Sequence, residues 1–189
     1  MLSTFNSRLP AIPSHSKSIT IKTNNNIPVP SIWHSSPLGE VGAFNMITYN
    51  CDGVKMPKIR KRDTTAWIKA VAATYDRKVG EVGYMFVDDE KILEVNNEYL
   101  GHDYYTDIIT FDYDEGDVIN GDLVISLDTV KSNAEMLGKS YEEELYRVII
   151  HGILHLCGIN DKGPGEREIM EAAENKALAI RPMGTTPKK

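Results

Sequence analysis

From Met46 onward the apolar residues recur with regular periods; before it they do not. Met46 to Tyr49 reads as a short strand. Trp67, Ile68, Val71, Ala72 and Tyr75 fall on one face of a helix that Asp63 or Thr64 can cap. Glu81 to Val87, rich in Val, Tyr and Phe, predicts a strand. Asp88 or Asp89 then caps a short helix through Leu93 and Asn96. Asp107 to Phe111 and Leu123 to Ser126 predict two strands, joined by a polar turn with Gly116 and Gly121. A helix starts at Asp128 and ends near Gly138. Ser140 with Glu143 three residues on forms a capping box for the next helix, which runs towards Cys157 and stops at Gly158. A last helix runs from about Gly165 to Leu178, and the tail from Pro182 reads as frayed. Strands mixed with helices, including a hairpin, predict an α+β fold with a mixed sheet rather than a doubly wound one.

The first 45 residues break this pattern. They hold five of the nine prolines and much Ser and Asn, and set Arg8, Lys17 and Lys22 against the single acid Glu40. Isolated apolar residues cannot offset the entropy of ordering such a chain, so residues 1–45 read as a disordered extension or as sequence upstream of a true start at Met46. They contain no apolar core of the ~7–15 residues that a secretory signal needs. Residues 46–181 then form one domain, within the ~150 residues usual for one, and 182–189 a tail.

Composition narrows the function classes. The formal charge of −6 argues against a protein that binds phosphates over its whole surface. The dense basic cluster Lys55, Lys58, Arg60, Lys61 and Arg62 remains a local candidate for an RNA backbone, although such clusters are usually just solvated. No apolar run approaches the ~18 residues of a membrane span. Two cysteines, Cys51 and Cys157, make no disulfide framework and suit a reducing cytoplasm.

The chemistry concentrates in His151-Gly-Ile-Leu-His155-Leu-Cys-Gly-Ile-Asn-Asp161. Histidines four apart on a helix share a face, ~6 Å apart along its axis. Such a pair is often simply buried and hydrogen-bonded. The turn at Gly158 and the carboxylate of Asp161 favour a metal site instead: two imidazoles and one carboxylate, with a fourth position for water. Zinc suits this set, although nickel and iron accept it too. The general base of the H-E-x-x-H peptidases is missing, because Gly152 takes its place; this disfavours a zinc peptidase. The glycine is expected to leave room beside the metal for a bulky substrate. Cys157, two residues from His155, is expected to face away from the pair as a small buried hydrophobe. Asp107 reads as a structural acceptor at a strand start, and His102 as a solvated loop residue.

The stretch HGILHLCGIND resembles the signature of the YbeY family, H-G-x-L-H-L-x-G followed by a third histidine. YTDIITF at 105–111 and GDLVIS at 121–126 resemble two further family motifs, in the family's order. The resemblance spans roughly Ile59 to Leu178. It implies a metallopeptidase-like α+β fold and a metal-dependent endoribonuclease, acting on ribosomal RNA and the ribosomal subunit in maturation and quality control. It places one zinc ion on His151, His155 and Asp161. Asp161 replaces the family's third histidine, and its added charge should make a bound water less acidic. Leu100, after Asn96-Asn-Glu-Tyr99, stands where the family carries an arginine suited to a phosphate. That substitution favours a second reading, a ribosome-assembly factor with a structural metal and little catalysis. No general base is identified.

Overall fold

A computed structural model describes residues 18–22 and 46–182. Its elements are β1 (Ile19–Lys22), β2 (Ile47–Cys51), α1 (Lys61–Ala73), β3 (Lys78–Val87), α2 (Asp89–Leu100), β4 (Ile108–Asp112), β5 (Val118–Ser126), α3 (Leu127–Leu137), α4 (Tyr141–Leu156) and α5 (Glu166–Ala179). The fold is α+β, as the pattern predicts. The sheet has the order β1-β4-β5-β3-β2. β4 and β5 form the expected antiparallel hairpin, and every other neighbouring pair is parallel. Among the described residues no helix is long and apolar enough to cross a membrane.

The strands bury both faces. One face supplies Tyr84, Phe86, Ile108, Leu123 and Ile125 to a large core with α1, α4 and α5. The other supplies Val87, Ile109, Phe111 and Val124 to a smaller core around Ile92 and Val95 of α2. Two polar tips tie the helices down. The Trp67 indole donates to the Ala177 carbonyl at 2.8 Å, and the Tyr84 hydroxyl to the Ile149 carbonyl at 3.1 Å. Helix α4 is the central helix, buried from Glu144 to Leu156 except at Arg147. Its capping box at Ser140 and Glu143 is present. Its end is turned by Gly158, whose φ of 93° suits a residue without a Cβ.

Three readings need correction. Part of the segment read as disordered is a strand: β1 adds to the β4 edge, with Ile19 and Ile21 buried in the smaller core. Four residues are too few to show a period, and their partner lies ninety positions away, so local pattern carries no sign of it. The remaining residues up to 45, and the tail beyond 182, lie outside the described residues. Helix α1 starts earlier than its expected caps. Arg60 occupies the N-cap position without a side-chain bond, Asp63 lies in the first turn, and Thr64 is buried. Helix α3 is capped by Ser126, whose hydroxyl accepts from the Thr129 amide, so Asp128 lies inside it.

Candidate metal centre

Helix α4 presents His151 and His155 on one face, with their rings edge to face at 4.5 Å between centroids. The two Nε2 atoms stand 2.9 Å apart. After the Gly158 turn the chain brings Asp161 back over them. Its Oδ2 lies 3.5 Å from the Nε2 of His151 and 3.6 Å from that of His155. All three predicted ligands therefore converge, and among the described residues they form the group suited to a metal. Two ligands each ~2.0–2.2 Å from one ion can stand up to roughly 4 Å apart, and all three separations fall inside that limit.

The outer ring nitrogens fix what the inner ones offer. His155 Nδ1 lies 2.8 Å from the Ile159 carbonyl, which only accepts, so this nitrogen carries the proton. His151 Nδ1 lies 2.6 Å from Oε1 of Glu174, with the same consequence. Both inner nitrogens then turn lone pairs towards each other and towards a carboxylate. Such a cluster of acceptors, almost fully buried, calls for a cation at its centre. Two imidazoles and one carboxylate oxygen are a donor set that zinc accepts. A proton on His151 is the alternative occupant. Burial opposes that charge, but the contacts with Asp161 and Glu174 outweigh it and raise His151 from 6.5 to about 9. Burial likewise pushes Asp161 up, yet bonds from His151, His155 and Ser18 prevail and hold it well below the usual carboxylate range.

Four neighbours escaped the sequence reading. Glu174 of α5 orients His151 and is itself paired with Arg147 at 2.7 Å. Its signal was an acid on the buried stripe of Met170, Ala173 and Ala177. Arg147 and Arg167 line a cleft that opens beside His151 and Asp161. Ser18, which nothing in the sequence marked, donates to Asp161 Oδ2 at 2.5 Å and lies 3.1 Å from His155 Nε2.

Other residues fall elsewhere. His102 sits in the loop after α2, stacked on Tyr104. Leu100 is half-buried against the smaller core. Asp107 is buried and accepts a bond of 3.4 Å from Asn133. Cys157 packs half-buried against the large core, and burial pushes its thiol up to about 12. Gly152 corrects the expectation of room for substrate. A Cβ there would stand 2.2 Å from Cδ2 of Leu123 and 2.8 Å from Cδ1 of Ile108. The glycine lets α4 press onto β4 and β5 instead.

The family model described as Endoribonuclease YbeY matches residues 49–180. The protein named Endoribonuclease YbeY from Bacteroides fragilis is 73% identical over 135 residues, covering 71% of this chain and 97% of its own. Its namesake from Bacteroides thetaiotaomicron is 70% identical over 135 residues, covering 71% and 98%. The solution structure of TM1509 from Thermotoga maritima aligns with a TM-score of 0.51 at 26% identity, covering 76% of this chain and all of that one. The match takes in α4, α5 and the whole converging donor set, and the chain belongs to the YbeY endoribonuclease family.

Proposed function

We propose that this chain is a single-metal endoribonuclease of ribosomal RNA maturation and quality control, acting on the ribosomal subunit in the cytoplasm. One zinc ion is held by His151, His155 and Asp161. The observation that carries this reading is the convergence of two Nε2 atoms and one carboxylate oxygen in a buried pocket. The names of the relatives support the RNA substrate.

A bound ion would supply Lewis acidity at a phosphodiester and lower the pKa of a coordinated water. The chain's own residues prepare that centre. Glu174 and the Ile159 carbonyl each hold one imidazole in the tautomer that turns its lone pair inward. Two neutral imidazoles and one carboxylate leave a divalent ion with net positive charge, which favours an approaching phosphate. Arg147 and Arg167 place guanidinium groups along the adjoining cleft. The exposed basic residues Lys55, Lys58, Arg60, Lys61 and Arg62 follow β2, the edge strand three places from β4. They are suited to a distant part of a long RNA.

Leu100 supports the second reading, an assembly factor with a structural metal, because no cation stands at that half-buried position. One comparison separates them. His155→Ala should lose bound zinc and cleavage of a ribosomal RNA fragment together. Equal cutting by wild type and variant would trace cleavage to a contaminant and leave the assembly factor standing. Zinc bound by the variant as tightly as by wild type would refute the metal assignment.

A further inference from the structure

Strand β1 lies outside the family match, which starts at residue 49. The Bacteroides relatives are matched over nearly their whole length without it. Without β1, strand β4 would be the sheet edge beside the metal centre, with unpaired backbone groups that invite an added strand. In this chain β1 takes that edge, pairing Ile19 with Ile109, Thr20 with Thr110, Ile21 with Phe111 and Lys22 with Asp112.

Alternation along β1 divides its roles. Ile19 and Ile21 enter the smaller core beside Ile109 and Phe111, and they anchor the strand. Ser18 points the other way, to α4. Only 4% exposed, it bonds to Asp161 and touches His155, two of the three groups assigned to the metal. The anchor is modest. Two isoleucines and a four-residue ladder must offset the entropy of ordering the segment. The hydroxyls of Thr20 and Thr110, in register on the α4 side, are buried without a partner, which weakens the junction further. A strand held this way can be displaced.

We propose that β1 is an intramolecular plug: it caps the β4 edge and sets the Ser18 hydroxyl against the metal centre, closing that side until the strand is released. This rests on the metal assignment made above and adds a segment-level control to it. RNA reaching the centre from the β4 side must first displace β1. Ion exchange is slowed by the same closure.

The test uses the full chain loaded with cobalt(II), whose visible absorption reports its donors. Excess chelator is added and the loss of absorption timed, for wild type, Ser18→Ala and Ile19→Ser/Ile21→Ser. Hydrogen exchange of the β4 amides is followed in parallel. The double variant should release cobalt at least tenfold faster and lose protection along β4. Ser18→Ala should release it faster than wild type while β4 stays protected. The double variant should also bind a single-stranded RNA decamer about tenfold more tightly. Ile21→Thr gives the same comparison if the double variant does not fold. Cobalt release at the wild-type rate from a variant whose β4 has lost protection would overturn the plug. So would β4 amides that exchange freely in wild type. If no form binds RNA, the nuclease reading falls, while cobalt release still decides the role of β1.

Discussion

Glu174 and His151 meet across the α4–α5 interface, Oε1 to Nδ1 at 2.6 Å, and the second oxygen of Glu174 holds Arg147 at 2.7 Å. A buried carboxylate behind a metal-ligating imidazole fixes its ring and raises its basicity. Glu174→Gln should therefore weaken zinc binding by about 10- to 100-fold. Glu174→Ala should do so at least as strongly, because it removes the contacts to both His151 and Arg147. Competition with a chromophoric chelator measures both. Unchanged affinity with a lowered melting temperature would make Glu174 a structural residue only.

Gly152 marks where helix α4 lies closest to the sheet. Besides Leu123 and Ile108, an added Cβ would meet Oγ1 of Thr110 at 3.1 Å. Gly152→Ala ordinarily favours a helix, by roughly 0.8–1 kcal/mol. Here overpacking, typically about 1–3 kcal/mol, opposes it and should prevail. Urea unfolding should show a lower midpoint at unchanged slope. A rise in the midpoint would mean that α4 can move off the sheet at little cost.

How much of this was legible depends on how local each signal is. Helix α4 announced itself through its capping box, its apolar positions and Gly158, and it carries both histidines. Asp161 was legible because the turn that returns it is only a few residues long. Glu174 and Arg147 were not: their roles arise from packing α5 against α4, and neither stands in a motif. Ser18 was further still from reach. It meets His155 across 137 positions of sequence, through a parallel strand pairing that no local period encodes. Gly152 stands out in the sequence as a departure from H-E-x-x-H, but its reason does not. The sequence shows that a side chain is missing there, and only the fold shows that Leu123 fills the space.

The two cysteines should separate cleanly. Cys51 is exposed at the end of β2, whereas Cys157 is half-buried with its thiol pushed up to about 12 by burial. Because the thiolate is the reactive form, Cys157 should resist a disulfide reagent at pH 8. One thiol per chain should react at once, and the second only on adding denaturant. Two equally fast thiols would show that the α4 C-terminus opens readily.

The last prediction follows the proton that competes with the metal. In the metal-free protein His151 is raised from 6.5 to about 9, despite burial, by Asp161 and Glu174. A basic group bound more tightly by protons when folded adds stability that is complete below its unfolded value, here about 6.5. That stability drains away as pH rises through about 9. A metal ion on Nε2 takes the place of this proton, so the loaded protein lacks the same pH dependence. The gain in melting temperature on adding zinc, at fixed free metal, should thus be small near pH 6.5 and grow up to about pH 9. Asp161, held far below the usual carboxylate range, stays ionised throughout and does not blur the trend. Scanning calorimetry with and without a chelator at several pH values measures the difference. A gain independent of pH over this window would mean that the ion does not bind at His151 Nε2, and the donor set assigned here would need another member.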